Sequence, residues 1–250
     1  NHYLGWNAGA TALENKTSPV SVTTATQYEI DALVSYGGGT SFTQATIEAA
    51  LTAIGTTNKV TLLLRPGTWV ISSNADWSAY TNVTFKIVSG AVISHGAFTV
   101  GIPNVSAELT QIFSGTGKVT LTGGPGKIPV EWHGATTSTV NNATAINKAV
   151  ETAHASGKAV LLTGVYPTTA TVYLAQVAGD DGVELCGINR YISGITYTGA
   201  GNAVETNAAG SITTSTGFKI RDIGITNVGA NQNGIYVNYS PHGEISNCKI

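Results

Sequence analysis

The chain carries the same device twice. Ala45, Thr46, Ile47, Glu48, Ala49, Ala50 and Leu51 read as a helix that feeds the apolar strand Lys59 to Leu64, then Pro66, Gly67, Thr68 and Trp69. Roughly a hundred residues later the helix returns as Ala143 to Val150, feeding Lys158 to Leu162, then Gly164, Val165 and Tyr166. After each copy the sequence breaks into short strands separated by Gly, Asn and Thr. One helix ahead of many short strands is the pattern expected where a helix plugs the end of a stack of strands. That expectation bears on architecture and leaves the chemistry open.

The bulk numbers agree with densely stacked β structure. The 250 residues have room for one large all-β domain or two smaller ones, and a hydrophobic share of 42% supports a real core. The charged share of 10% is far below the roughly 25% of ordinary soluble domains. Small hydroxyl and amide groups take its place, and these bond to neighbours in a stack without like-charge repulsion. Net charge is −2 with no Lys/Arg run, so the footprint for nucleic acid is missing. Apolar runs such as Val60 to Leu64 are too short to span a bilayer as a helix, and no signal-peptide pattern opens the chain. The chain has no Met and starts at Asn1, and Ile245 to Ile250 read as a strand without a cap. The natural protein is therefore expected to continue at both ends.

Along the chain, residues 1–26 read as a polar lead-in segment, 27–128 as a smaller helix–strand β-rich domain, and 129–250 as the start of a larger strand stack with its own capping helix. A short helix is expected over Thr26 to Val34, ahead of the Gly37-Gly38-Gly39 turn. Thr43 or Ser41 is expected to cap the next helix, whose apolar face is Ile47, Ala50, Leu51 and Ile54. In the second copy Ala145, Ile146, Ala149, Val150 and Ala153 form the stripe, Asn142 is available as the cap and Gly157 ends the helix. Past Gly182, Lys219 to Ile225 lies over Glu244 to Ile250 at an offset of about 25 residues. That register stacks Ile220 on Ile245, Ile223 on Cys248 and Ile225 on Ile250. It sets Lys219 against Glu244 outside, and the broken alternation at Arg221-Asp222 and Ser246-Asn247 marks a bend.

Three stretches carry a family resemblance: Val130-Glu131-Trp132-His133-Gly134-Ala135 ahead of a helix, Pro66-Gly67-Thr68-Trp69 after one, and Gly217 to Ile223 with Asn233-Gly234-Ile235 and Ile245 to Cys248. They resemble the pectate-lyase-like superfamily, in particular its phage tailspike and tail-fibre members, over roughly residues 40 to 250. The expected fold is all-β with short capping helices: a right-handed parallel β-helix, or solenoid, preceded by the smaller β-rich domain. The resemblance implies a fragment of a homotrimer, in a virion tail or another extracellular setting, that recognises host surface polysaccharide. Whether it also depolymerises it is left open, and a lyase or hydrolase site is expected outside or at the end of this stretch. A non-catalytic structural or adhesive β-helix and a secreted polysaccharide lyase or epimerase are the alternatives. One departure stands out: where such proteins carry paired Asp before the helix, this chain has Asn141-Asn142.

Cleavage of a polysaccharide by hydrolysis needs two carboxyls about 5–5.5 Å apart for retention or about 6.5–9.5 Å for inversion. Neighbouring coils lie about 4.8 Å apart, so acids in register would suit retention. Glu205 with Asp222 is the pair selected as catalytic. Lyase chemistry would draw instead on Arg190, Arg221, His242, Tyr236 and Tyr239. Tyr197, Tyr236, Tyr239 and His242 are the residues selected for substrate binding, the tyrosines as flat faces for sugar rings. Tyr is also an ordinary strand residue and His242 sits in a turn, so plain structural roles remain open. Asp180, Asp181 and Glu184 read as a turn, with a Ca²⁺ site as the minor alternative; no cofactor or metal is otherwise indicated. Cys186 and Cys248 lack metal-ligand spacing and read as free thiols, with a disulfide left open. Polysaccharide is the expected partner, with neither nucleic acid nor membrane insertion.

Overall fold

The computed structural model describes residues 2–6, 13–17, 28–175, 183–206, 217–227, 233–238 and 242–250. Strands β1 (His2–Trp6) and β2 (Leu13–Thr17) form an antiparallel pair. Beyond it lie β3 (Tyr28–Asp31), α1 (Ala32–Tyr36) and α2 (Gln44–Ile54). The chain then makes successive passes of three strands. The first pass is β4 (Val60–Leu64), β5 (Gly67–Val70) and β6 (Ala75–Asp76). The second is β7 (Val83–Ile87), β8 (Ala91–Gly96) and β9 (Val100–Ile102). The third is β10 (Val105–Ala107), β11 (Phe113–Gly115) and β12 (Val119–Leu121).

Then come β13 (Lys127–Pro129), a 3-10 turn (Val130–His133) and α3 (Ala143–Ser156). The passes resume with β14 (Ala159–Leu162), β15 (Val165–Thr168) and β16 (Val172–Tyr173). Next are β17 (Glu184–Gly187), β18 (Gly194–Tyr197) and β19 (Val204–Glu205), followed by β20 (Phe218–Arg221), β21 (Gly224–Asn227), β22 (Ile235–Tyr236) and β23 (Gly243–Ser246).

Each pass gives one strand to each of three sheets, and the strands of successive passes pair in parallel. Up to β12 the sheets run β3-β4-β7-β10, β5-β8-β11 and β6-β9-β12; from β13, which precedes α3, they run β13-β14-β17-β20-β23, β15-β18-β21 and β16-β19-β22. The protein is thus mostly β, with parallel sheets, as the repeated device indicated. The residues expected to form a smaller β-rich unit ahead of α3 are layered in the same way as those after it.

The period-two alternation of the strands puts one apolar column inside each sheet. Leu62, Phe85 and Val105 lie in register and are buried, as are Trp69, Ile93 and Phe113. In the second set of sheets the column is Ile128, Val160, Leu185 and Ile220, all fully buried. Each such side chain contributes about 1.5–3 kcal/mol by leaving water. Ile245 continues this column and is 45% exposed. The register drawn from the sequence holds here: Ile220 pairs with Ile245, and Lys219 pairs with Glu244 in an outward ion pair of 3.0 Å.

The helices lie across the ends of these columns. Thr43 caps α2 by accepting from Thr46 N, and Ile47, Ala50, Leu51 and Ile54 are buried. Gln44 ties the helix to the turn after β5, its Oε1 accepting from Ser72 N at 3.0 Å and Ser73 N at 3.1 Å. α3 packs against β12 and the 3-10 turn on one side and against β14 and β16 on the other. Its Lys148 Nζ donates to Thr116 O at 2.5 Å, and its Ser156 Oγ accepts from Leu121 N at 2.8 Å. The helix expected to plug one stack therefore lies between two, and a single hydrophobic core runs through both. Gly67 shows how tightly the first turn closes. Its φ is +143°, and a Cβ there would meet the Phe42 ring at 2.4 Å, where that ring packs edge-on against Trp69.

Two local expectations are corrected. Residues 28–31 are strand, and the helix starts only at Ala32, capped by Asp31, because Tyr28 to Asp31 pair with Val60 to Leu63. Pairing with an existing sheet outweighs a short helical preference. Asn142 stands at the N-cap position of α3 without capping through its side chain. Its backbone is not extended (φ −99°, ψ 4°), and its amide is spent holding the preceding loop, accepting from Thr136 N and donating to Thr139 O and Pro167 O. Asn141 Oδ1 accepts from Ala143 N at 3.2 Å instead.

Candidate functional site

The third sheet after α3 carries the most suggestive outward column. Val172, Val204 and Ile235 stand in register on the inner side of β16, β19 and β22. Their C-terminal neighbours Tyr173, Glu205 and Tyr236 stand in register on the outer side. Glu205 is half-buried between the two tyrosines, and Tyr236 is 42% exposed. Asn202 Nδ2 donates to Glu205 Oε1 at 2.8 Å, and Asn233 Nδ2 donates to Asn202 Oδ1 at 2.9 Å. The carboxylate is thus held by an amide ladder, with an aromatic ring one layer away on each side. Asn147 of α3 anchors the first of these layers, its Oδ1 accepting from Tyr173 N at 2.9 Å.

Flat rings flanking a hydrogen-bonding carboxylate can cover the C–H face of a sugar and accept from its hydroxyls. Both register neighbours of Glu205 are tyrosines. The ladder itself therefore lacks the pair of acids that hydrolysis requires.

The structure separates the two acids selected as catalytic. Glu205 lies on β19 and bonds to Asn202, whereas Asp222 follows β20 and bonds to Arg221 and Asn247. Asp222 belongs to a polar belt at the bend between the first and second sheets. Arg221 Nε donates to Glu184 Oε1 at 2.7 Å, and its second nitrogen donates to Asp222 Oδ2 at 2.9 Å. The hydrogen bond from Asn247 and then that from Arg221 hold the Asp222 carboxyl below the usual carboxylate range. Arg190 donates to Asn247 Oδ1 at 3.0 Å, and its guanidinium lies 5.0 Å from the centre of the Tyr191 ring. Such a hydrogen-bonded belt ties neighbouring layers together, and it engages both oxygens of Asp222.

Of the residues selected for substrate binding, Tyr197 lies in the core at 1% exposure, its hydroxyl accepting from Gly201 N. Its ring is closed to a ligand. Tyr236 is exposed in the column just described. His242 is exposed in the turn before β23, where its carbonyl accepts from Phe218 N. Tyr239, Asp180 and Asp181 lie outside the described residues. Among the described residues no group of three or more His, Cys, Asp or Glu is placed to hold a metal ion. Cys186 and Cys248 are both free, and burial pushes their thiols up. Among the described residues no helix is long and apolar enough to cross a membrane.

A groove of about 530 Å³ lies between the edge strands β10 and β13, with Ala107, Pro129, Trp132 and Leu161 as apolar walls and Ser106 and Lys127 beside them. Sequence reasoning missed Tyr173 as the partner of Glu205. Val172 precedes Val204 by 32 residues and Val204 precedes Ile235 by 31, an interval the 25-residue offset does not reveal.

Comparison with protein families, with curated proteins and with solved structures finds nothing that matches this chain.

Proposed function

We propose that this chain is part of a right-handed parallel β-helix that recognises a surface polysaccharide, with the Tyr173–Glu205–Tyr236 column as the sugar-holding surface. The repeated three-strand pass and the in-register aliphatic columns support the solenoid reading. The resemblance to phage tailspikes and tail fibres makes a virion tail the setting and a homotrimer the assembly. The observation that carries the reading is the outward carboxylate held between two outward tyrosines in adjacent layers. Recognition is favoured over cleavage, because both register neighbours of Glu205 are tyrosines and Asp222 belongs to a different corner, bonded to Arg221 and Asn247.

The test is a panel of bacterial surface polysaccharides, scored for binding, for new reducing ends and for unsaturated uronates. At least one polysaccharide should bind, and Tyr236→Ala should weaken it about tenfold, as the loss of one stacked ring implies. Binding that is indifferent to both Tyr173→Ala and Tyr236→Ala would remove the column from the account. New reducing ends or unsaturated uronates would replace recognition by cleavage.

A further inference from the structure

Glu205 carries a charge that its described neighbours do not neutralise. The other described acids beyond α3 are Glu184, Asp222 and Glu244, and each forms an ion pair with Arg221 or Lys219. Among the described residues no Lys or Arg pairs with Glu205. Its side-chain partner is a neutral amide. Asn202 Oδ1 is taken up by Asn233 Nδ2, so the Nδ2 of Asn202 is the atom that faces Glu205 Oε1. Among the described residues Glu205 Oε2 has no hydrogen-bond partner.

The two flanking residues add to the same preference. Tyr173 and Tyr236 stand one layer away on either side, Tyr173 half-buried and Tyr236 exposed. Layers are spaced by about 4.8 Å. That is within the roughly 6 Å over which the face of an aromatic ring attracts a cation. A carboxylate without a counter-ion, set between two tyrosines, repels an anion and holds a cation by charge and by ring faces together. A neutral hydroxyl would draw only on the hydrogen bond.

We infer that the Tyr173–Glu205–Tyr236 column selects a sugar that bears a protonated amine. The ammonium donates to Glu205 Oε2 and lies against the tyrosines, while Asn202 keeps the carboxylate aimed outward. This specificity rests on the polysaccharide reading of the same column given above, and it narrows that reading to a cationic glycan.

The experiment compares two short oligosaccharides of equal length on the full chain by calorimetry, one of glucosamine and one of N-acetylglucosamine. They differ in the charge of the amine and in the acetyl group that removes it. The glucosamine oligomer should bind at least tenfold more tightly, and the advantage should vanish when pH is raised until its amines lose their protons. Glu205→Gln keeps the shape and removes the charge, and it should bring the two oligomers to equal affinity. A thermal melt establishes that this variant is folded, and Tyr236→Ala in the native background supplies a second test by weakening the glucosamine oligomer.

Equal binding of the two oligomers by the unaltered chain, with both weakened by Tyr236→Ala, overturns the ammonium preference and leaves polysaccharide recognition standing. Equal binding of a trilysine peptide overturns it too, since charge alone then suffices. Binding of the glucosamine oligomer that neither Glu205→Gln nor Tyr236→Ala alters places the amine elsewhere and overturns the inference. Failure of every oligomer and every polysaccharide of the panel to bind removes the polysaccharide reading and this specificity with it.

Discussion

Asn247 Nδ2 donates to Asp222 Oδ1 at 2.6 Å, and both residues adopt the left-handed backbone, with φ of 51° and 60°. They occupy the same corner of adjacent layers, where the chain leaves the first sheet for the second. Asn and Asp tolerate this conformation better than other non-glycine residues, and here each side chain completes the other's hydrogen bonding. Replacement of Asp222 should rank by backbone cost as well as by charge. Asp222→Asn is expected to lower Tm least and Asp222→Val most, because a β-branched residue resists positive φ. Thermal melts of the two variants at pH 7 check the order. The depressed carboxyl of Asp222 also sets a sign: its contribution is present at neutral pH and is lost as pH falls through its lowered folded-state value.

His133 should make the protein acid-sensitive above the carboxylate range. Its Nε2 lies 3.0 Å from Thr152 Oγ1 of α3, and its ring packs 5.5 Å from Phe113. Burial first, then the charges of His95 and Lys148, push its pKa down from 6.5 to about 3. The unfolded chain takes up the proton near 6.5 and the folded chain does not, so stability is full above that pH and falls steadily below it. Part of the residue's surface remains open, which leaves about 1–3 kcal/mol lost by pH 4. Urea titrations at pH 7, 5.5 and 4 should show this slope, and His133→Gln should flatten it.

Glu131, Thr163 and Tyr166 form a closed acceptor–donor group beneath the 3-10 turn. Glu131 Oε1 accepts from Thr163 Oγ1 and from the Tyr166 hydroxyl, while its Oε2 is buried without a partner. Tyr166→Phe removes one of these donors and is expected to cost about 2–3 kcal/mol. Burial first, then the Glu131 bond, push the Tyr166 hydroxyl up from 10 to about 12. Its contribution therefore holds below pH 10 and is lost as pH rises towards 12. Absorbance at 295 nm during alkaline titration should contain a late component that Tyr166→Phe removes.

Ile146 of α3 is fully buried on the helix that touches both sets of sheets. Ile146→Ala leaves a cavity there and should cost about 2–5 kcal/mol. A single cooperative transition at lower denaturant, rather than two separated ones, is expected, because one core runs through both stacks. Far-UV dichroism against urea distinguishes these outcomes.

Much of the architecture could be read from the chain because apolar spacing writes it directly. Ile47, Ala50, Leu51 and Ile54 announce α2, and the likeness of Lys219–Ile225 to Glu244–Ile250 fixes a register that the backbone obeys. The outward columns were harder to see. Pairing depends on the length of the intervening loops: Glu184 precedes Lys219 by 35 residues, while Lys219 precedes Glu244 by 25. A constant offset aligns one pair of layers and misses the next. Hence Tyr236 and Glu205 were legible as residue types, but their shared column with Tyr173 was not. Tyr197 misled for a related reason, since a Tyr whose hydroxyl finds the nearby Gly201 amide can sit inside as readily as outside.

Between β12 and β13 the ladder of backbone pairing is interrupted, and among the described residues no strand of β3–β12 pairs with one of β13–β23. Insertion or loss of a whole turn of chain within the passes that end at β12 would leave the alignment from β13 onward intact, and the reverse holds as well. Each column can thus lengthen or shorten on its own, with the helix acting as a coupling that transmits contact but carries no phase.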